Sequence, residues 1–213
     1  MRRSLLPARP MVAVLVLTAL ALTAPFAAPA MAKGAKIEVS PKVTVKGTKL
    51  PTSDKVGSAA DLAVGMIAPT LVAKGFDGKK VTIGGPGVPR MVVFLSHSCP
   101  HCQAEVPVIV DLADDGAFDG VDVETVTTNT SKRLPNYPPS KWLQRERWPF
   151  PTVLLDDAKL RAFFGSGGQA FPYFVMLDAD GVVVARAEGE LSKASLREAA
   201  TKLAAGEPIF GTA

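Results

Sequence analysis

The chain has 213 residues and a formal net charge of +4, from 24 basic and 20 acidic side chains. Its first 32 residues hold three of the basic side chains and none of the acidic ones, so the remainder is almost neutral. A near-neutral chain of this size is long enough for one domain with a full core, and its charge gives no reason to expect nucleic-acid binding.

The first 32 residues have the organisation of an export signal. Three arginines precede an uncharged and mainly apolar stretch, which begins at residue 11 and ends in small residues that suit cleavage. Export leads to a compartment in which disulfides persist, so we expect an extracytoplasmic protein of the periplasm or cell envelope. The alternative is an uncleaved membrane anchor, because residues 11–32 carry no charge and are long enough to span a bilayer.

The next segment, residues 33–61, is rich in Lys, Thr, Gly, Ser and Pro. This composition predicts a flexible N-terminal segment or an edge strand. The pattern tightens from residue 62, where two strand-like pieces, 71–73 and 81–83, flank an Asp-Gly turn signal and predict a hairpin. The folded domain is predicted to span residues 62–208.

The two cysteines of the chain follow an apolar run over 91–95, in the sequence Cys99-Pro100-His101-Cys102. The run predicts a buried strand, and proline suits the first position of a helix. Both cysteines are therefore predicted on a first helical turn, where the positive end of the helix dipole stabilises a thiolate. Residues three apart on a helix face each other, so the two sulfurs can close into a disulfide and reopen. The spacing thus predicts thiol–disulfide exchange.

Other uses of the cysteine pair fit the sequence less well. As a structural staple it would close so small a loop that the loop model assigns it only about 2 kcal/mol. A zinc site needs two more ligands, for which the chain offers His97 and His101 alone, and haem attachment needs histidine where Gln103 stands. A Cu(I) carrier that uses both thiolates and one histidine stays open as an alternative, and a peroxide-reducing enzyme is kept faintly open by Ser96 and Ser98.

The remaining pattern alternates between strands and helices. The predicted elements are a helix to residue 114 with a kink at Pro107, a strand at 121–128, a helix at 140–148, a strand at 151–155, a helical turn at 159–164, a hairpin of strands 173–177 and 182–185, and a last helix from the N-cap Ser192 to Gly206. This order predicts the α/β class, with a central mixed sheet flanked by helices. The cysteines then lie beyond the carboxyl end of a central strand, where reactive groups gather in such sheets.

Several pieces of sequence accompany the cysteine motif in a fixed order. They are residues 64–69 (Val-Gly-Met-Ile-Ala-Pro), residues 77–81 (Asp-Gly-Lys-Lys-Val), Glu105 and Pro107 after the second cysteine, Phe171-Pro172 before a strand, and Asp180-Gly181 after it. Over about residues 62–207 the chain resembles the exported thioredoxin-like thiol-disulfide oxidoreductases of the TlpA and ResA type. The resemblance implies a thioredoxin fold, and it implies that Pro172 is a cis proline facing the cysteines.

The position of each cysteine predicts its role. Cys99 stands nearest the helix N-terminus and the strand end, so it is predicted to be the attacking nucleophile, and Cys102 the resolving thiol. Glu105 lies one helical turn beyond Cys102 and is predicted to exchange a proton with it, a role that the family resemblance favours over that of a solvated surface charge.

Four neighbouring residues complete the predicted site. His101 is expected to direct positive charge or a hydrogen bond toward the Cys99 thiolate, and together with Pro100 to modulate the redox properties of the pair. Phe171 and Pro172 are expected to line a substrate groove beside the sulfurs, although packing explains an aromatic side chain there equally well. We expect no metal and no cofactor.

The sequence predicts an extracytoplasmic enzyme that reduces disulfides of exported proteins and is recharged by an upstream membrane electron donor. The resemblance suggests supply of reduced apocytochrome for haem attachment, but no residue specifies that partner. Two features point the other way, toward a disulfide-forming oxidase of the DsbA type. Pro100-His101 resembles the dipeptide of that strongly oxidising type, and Ser98 replaces the tryptophan that often precedes the first cysteine in the TlpA and ResA type.

Overall fold

The computed structural model describes residues 37–156, 162–165 and 170–210. Within these ranges the chain forms two β-sheets and three α-helices. The strands are β1 (Thr44–Lys46), β2 (Thr70–Lys74), β3 (Lys80–Ile83), β4 (Arg90–Leu95), β5 (Asp122–Thr127), β6 (Thr152–Leu154), β7 (Tyr173–Leu177) and β8 (Val183–Glu188), and the helices are α1 (Pro100–Asp114), α2 (Pro139–Arg145) and α3 (Lys193–Ala205), with a 3₁₀ turn at Ala162–Phe164.

The larger sheet has the strand order β6-β5-β4-β7-β8. The central strand β4 is parallel to β5 and antiparallel to β7, and β8 is antiparallel to β7 in turn. Strands β4, β5, β6 and β8 therefore all point their carboxyl ends toward one edge of the sheet, which we call the cysteine edge because Cys99 follows β4 there. This mixed sheet, flanked by helices, confirms the predicted α/β class and the thioredoxin-like fold.

The core is built on β4, in which every side chain from Met91 to Leu95 is fully buried. A strand buried on both faces has a continuous apolar run rather than an alternating one, which is the pattern of 91–95. Helix α1 packs its apolar residues Val106, Ile109 and Leu112 into the same core. The strand and helix that carry the two cysteines are thus held rigidly.

The smaller sheet has the order β1-β2-β3 and contains the predicted hairpin, β2 with β3. Strand β1 pairs with β2, so residues 44–46 form the edge strand that was one of the two alternatives for the N-terminal segment. Leu50 is fully buried and Asp61 is only 4 % exposed. This part of the segment predicted as flexible is therefore packed into the fold, although a domain boundary at residue 62 stays a prediction.

The predicted boundaries of the helices differ in accuracy. Helix α3 begins after the N-cap Ser192 and ends at Gly206, whose left-handed φ of +68° closes the helix as predicted. Helix α2 was predicted to reach Trp148, but it ends at Arg145. Trp148 instead turns into the core, where its Nε1 donates a hydrogen bond to Thr125 Oγ1 at 3.0 Å.

Some sequence predictions fall outside the described ranges. They concern the leader over 1–32 and the first half of the helical turn predicted at 159–164, whose second half is the 3₁₀ turn at Ala162–Phe164. Within the described ranges no helix has the length and apolarity needed to cross a bilayer.

Candidate functional site

The two cysteines stand at the start of α1 in different environments. Cys99 is the N-cap residue, with an extended backbone, and Pro100 begins the helix as predicted. Cys99 is half-buried, whereas Cys102 is fully buried, and both are free thiols. Their sequence spacing thus places one sulfur at the surface and the other behind it.

The chain segment before β7 faces the more exposed sulfur. The thiol of Cys99 donates a hydrogen bond to the carbonyl oxygen of Phe171, with 3.5 Å between sulfur and oxygen. The peptide bond between Phe171 and Pro172 is cis, as the family resemblance implied. The ring of Phe171 is buried in the core, so this residue presents its main chain to Cys99, and its side chain has the packing role that the sequence left open.

Cys102 lies in surroundings that oppose its ionisation. Burial raises the pKa of the Cys102 thiol well above its ordinary range, and the neighbouring Cys99 and Glu105 raise it further. The backbone N–H of Ser96, which donates to the Cys102 sulfur at 3.3 Å, acts in the opposite direction but does not compensate. Cys102 therefore needs a base nearby before it can act as a thiolate.

Glu105 is the carboxylic acid on α1 one turn beyond Cys102. It is only 2 % exposed, and its Oε2 accepts a hydrogen bond from the backbone N–H of Leu191 at 3.1 Å. Its Oε1 is buried and has no hydrogen-bond partner among the described residues. Burial raises the pKa of Glu105 to about 7; the Leu191 bond lowers it, and the negative charge of Glu190 raises it. Near neutral pH the carboxyl group can both accept and return a proton.

His101 is exposed, and its ring is engaged by a residue that the sequence did not single out. The Nδ1 atom of His101 lies 2.5 Å from Oε1 of Glu190, in the segment between β8 and α3. The sequence predicted that His101 acts on the Cys99 thiolate, and this effect stays a prediction. Glu190 and its neighbour Leu191 thus contact His101 and Glu105, the titratable side chains of α1 on either side of Cys102.

His97 is a further site residue whose role sequence reasoning missed. It is fully buried, its Nε2 accepts the backbone N–H of Ser131 at 3.0 Å, and its Nδ1 lies 2.6 Å from the carbonyl oxygen of Pro135. Because Nε2 is an acceptor, the ring proton is on Nδ1 and is donated to Pro135. These partners lie 34 and 38 residues away in the chain, and no local motif indicates them.

The histidines bear on the alternative of a copper carrier. Both ring nitrogens of His97 are already used by the backbone, and Nδ1 of His101 is paired with Glu190. In the described ranges there is no group of three His, Cys, Asp or Glu side chains placed to hold a metal ion. The geometry around the cysteines therefore favours thiol chemistry.

Comparison with known proteins places this chain in a family. The Redoxin family model matches residues 47–203, which is well over half of the chain. Two curated relatives are each 29 % identical: the methylamine utilization protein MauD of Methylobacillus flagellatus over 126 residues and that of Methylophilus methylotrophus over 131 residues. The matches cover 58 % of this chain, which spans only 56 % and 54 % of the two relatives.

Solved structures share the fold at low sequence identity. StoA from Bacillus subtilis superposes with a TM-score of 0.53 at 21 % identity, over 63 % of this chain and 97 % of that protein. A secreted Mycobacterium tuberculosis disulfide oxidoreductase homologous to E. coli DsbE gives 0.51 at 20 % identity, over 63 % and 94 %. A thioredoxin family thiol:disulfide interchange protein from Chlorobium tepidum gives 0.53 at 24 % identity, over 64 % and 94 %. The chain belongs to the Redoxin family and has the thioredoxin-like fold of thiol-disulfide oxidoreductases.

Proposed function

We propose that this chain is an exported thiol-disulfide oxidoreductase that reduces disulfides of extracytoplasmic proteins through Cys99 and Cys102. The observation that carries the proposal is the difference between the two sulfurs. Cys99 is half-buried at a helix N-terminus beside the main-chain carbonyl of Phe171, and Cys102 is fully buried with a raised pKa. One sulfur is placed to meet a client and the other to finish the reaction.

The reaction proceeds through two exchanges. The Cys99 thiolate attacks one sulfur of the client disulfide, which forms a mixed disulfide and releases the other client sulfur as a thiolate that takes up a proton. Cys102 then loses its proton and attacks the Cys99 sulfur, so that the second client sulfur leaves as a thiol. The client gains two electrons and two protons, and the Cys99–Cys102 pair becomes a disulfide, which an upstream membrane donor reduces again.

Glu105 acts as the proton acceptor in the second exchange. The raised pKa of Cys102 demands a base, and Glu105, with a pKa of about 7 and a free Oε1, is the buried base nearby. Resolution of the mixed disulfide should therefore accelerate as the pH rises through about 7. Glu105→Gln should flatten this profile, which rapid-quench measurement of the released client thiol would detect; an unchanged profile would exclude the role.

The client is held by main-chain contacts beside Cys99. The carbonyl group of Phe171 faces the sulfur, and Pro172 follows it directly. An extended client segment that lies along residues 171–172 would bring its cystine to Cys99 through main-chain contacts. Phe171 serves this groove through its backbone, since its ring is part of the core.

Export rests on the sequence of residues 1–32, either as a cleaved signal or as an anchor. The similar structure from Mycobacterium tuberculosis is described as that of a secreted disulfide oxidoreductase, which agrees with this location. Fusion of residues 1–32 to a reporter that is active only outside the cytoplasm tests export. Fractionation of the full chain then separates a released protein from an anchored one.

Oxidation of clients by the same residues is the second candidate, and the Pro100-His101 dipeptide favours it. The pairing of His101 with Glu190 places a carboxylate next to the imidazole, which offsets positive charge that would otherwise stabilise the Cys99 thiolate. A less stable thiolate makes the reduced pair a stronger reductant. We therefore favour reduction.

Two measurements test the proposal. Cys102→Ser should accumulate mixed disulfides with exported proteins, whereas Cys99→Ser should trap none. Equilibration with glutathione buffers should give a reduction potential close to about −270 mV, as in thioredoxin, and a value close to about −120 mV would instead establish the oxidase. The proposal fails if folded Cys102→Ser protein traps no client.

A further inference from the structure

The loop between β5 and α2 stands beside the cysteines and carries an unusual set of exposed side chains. We call residues 131–137 the anchored loop. Its sequence is Ser-Lys-Arg-Leu-Pro-Asn-Tyr, with two basic residues and no acidic one. Leu134 is 47 % exposed and Tyr137 is 38 % exposed, although most large apolar side chains of the described chain are buried.

Three hydrogen bonds attach this loop to the turn that precedes Cys99. His97 receives the N–H of Ser131 on one ring nitrogen and bonds the carbonyl of Pro135 with the other. The side-chain amide of Asn136 donates to the backbone carbonyl of His97 at 3.3 Å. Gln103 of α1 donates to that same carbonyl at 3.0 Å, so the loop and the cysteine helix share one anchor.

The anchor limits the distance between the basic residues and the reactive sulfur. Lys132 and Arg133 lie between Ser131 and Pro135, which both contact His97, and His97 is two residues before Cys99. Consecutive Cα atoms are about 3.8 Å apart, so neither basic residue can lie far from this turn. The loop also stands at the cysteine edge, since it follows the carboxyl end of β5.

The positive charge on the loop has no partner that neutralises it in the described ranges. Neither Lys132 nor Arg133 forms an ion pair there. Arg145 bonds Asn136 from α2 and is itself paired with Glu146, while Asp156 bonds Thr130 just before the loop. The net charge of these side chains is positive. The two unpaired charges, on Lys132 and Arg133, lie in the exposed part of the loop.

We infer that the anchored loop selects clients, and that it binds a segment with carboxylates and an apolar side chain next to the cystine. The inference rests on the proposed function and names the client class of the same site. Leu134 and Tyr137 offer the apolar contact, and Lys132 and Arg133 offer the charge. Charges at the rim of an interface act mainly on association and selectivity, and their effect is screened by salt.

The test uses three disulfide substrates and a charge-reversed protein. Two cystine peptides of equal length and apolar content differ only in carrying aspartates or lysines beside one cysteine, and 2-hydroxyethyl disulfide is the small uncharged reference. Reduction is followed in single turnovers of the pre-reduced protein. The wild type should reduce the acidic peptide about fivefold faster than the basic one, and the ratio should fall toward one in high salt.

The double variant Lys132→Glu/Arg133→Glu should invert this preference and leave the rate with 2-hydroxyethyl disulfide unchanged. The matched control is Lys46→Glu/Lys49→Glu, which reverses two exposed charges that form no ion pair with a described residue. Lys46 is the last residue of β1 in the smaller sheet, Lys49 follows it three residues later, and neither belongs to the anchored loop. The control should keep the wild-type preference.

Each other outcome is decisive. Equal rates with both peptides, or a faster reaction with the basic one, would overturn the inference while leaving the reductase function in place. A variant that slows on all three substrates alike would also overturn it, because the loop would then act on the sulfurs rather than on the client. A wild-type protein that reduces none of the three disulfides would refute the proposed function itself, and the inference with it.

Discussion

Glu105 shows how one residue connects stability with chemistry. Its pKa lies at about 7 in the fold, above its ordinary value of 4.5, because burial disfavours the charged form. When the pKa of a carboxyl group is raised by folding, ionisation of that group lowers the free energy of unfolding. Its cost therefore appears as the pH rises from about 4.5 and is complete above about 7. Such a cost is typical of functional groups, whose chemistry demands an unfavourable environment.

We predict that Glu105→Gln stabilises the protein at pH 8 by up to about 3 kcal/mol and has little effect at pH 4. The glutamine keeps an oxygen for the Leu191 N–H but has no charge to bury. Urea unfolding at both pH values measures the difference. Glu207→Gln, at an exposed position, is the control and should change neither value. A gain of the same size at both pH values would contradict the electrostatic origin.

Glu190 is predicted to tune the redox pair through His101. In Glu190→Gln the imidazole loses its carboxylate partner and can direct a hydrogen bond toward Cys99 instead, so the thiolate gains stability. The reduction potential should rise by about 10–20 mV, as expected for an exposed pair. Glutathione equilibration measures the rise.

An effect of Glu190 on the reduction potential through His101 can be distinguished from a general effect of surface charge. In a His101→Gln background the Glu190→Gln substitution should shift the potential much less, since its partner is already absent. Glu188→Gln removes an exposed charge two residues before Glu190 that forms no ion pair with a described residue, and it should leave the potential close to that of the wild type. A fall in potential on Glu190→Gln would contradict the assignment.

At the scale of elements, the N-cap of α3 supports the site as well as the helix. Ser192 accepts the N–H of Ser195 at 3.0 Å, and the residue before it, Leu191, donates to Glu105. We predict that Ser192→Ala lowers the free energy of unfolding by about 1 kcal/mol, because the N–H of Ser195 loses its acceptor. Urea unfolding measures the loss. Ser192→Asp, which restores an acceptor, should recover most of it, and equal losses in both variants would contradict a capping role.

Helix and strand boundaries were predictable where a local signal sets them. The proline at position 100, the cap at Ser192 and the glycine at 206 each act within one helical turn, and all three predictions are confirmed. The end of α2 was wrong because distant contacts decide it. Trp148 leaves the helix to reach Thr125 on β5, and a helical pattern in sequence does not register such a partner.

The difference between local signals and distant contacts also decides what is predictable for the whole molecule. The cysteine pair, its helix and the mixed character of the sheet follow from short motifs and from the order of elements. His97, Glu190 and the anchored loop do not, because their contacts join residues 34 to 89 positions apart. A contact of still longer range joins Asp61 and Arg186 across 125 positions. Sequence periodicity indicates that a residue is buried, but it does not identify a partner in another element.

The Asp61–Arg186 pair ties the segment before residue 62 to β8. Both side chains are fully buried, and the guanidinium bonds both carboxylate oxygens, with Nε 2.7 Å from Oδ2. It also donates to the carbonyl of Pro51 and to the hydroxyl of Tyr173. Burial raises the pKa of Asp61, but hydrogen bonds from Arg186 and Ala63 outweigh it and hold that pKa below 3.8. Its stabilising contribution is therefore present above pH 3.8 and is lost as the pH falls below it.

We predict that Asp61→Ala lowers the free energy of unfolding at pH 7 by about 3–5 kcal/mol, because a buried guanidinium is left without its counter-charge. Asp54→Ala removes an exposed aspartate, paired with Lys55 at 3.7 Å, and should cost no more than about 1 kcal/mol. Asp61→Ala/Arg186→Met should recover part of the loss, since no charge then remains buried. If the double variant were less stable than Asp61→Ala, the remaining bonds of Arg186 to Pro51 and Tyr173 would outweigh its unpaired charge, and the pair would not be what holds the segment to the sheet.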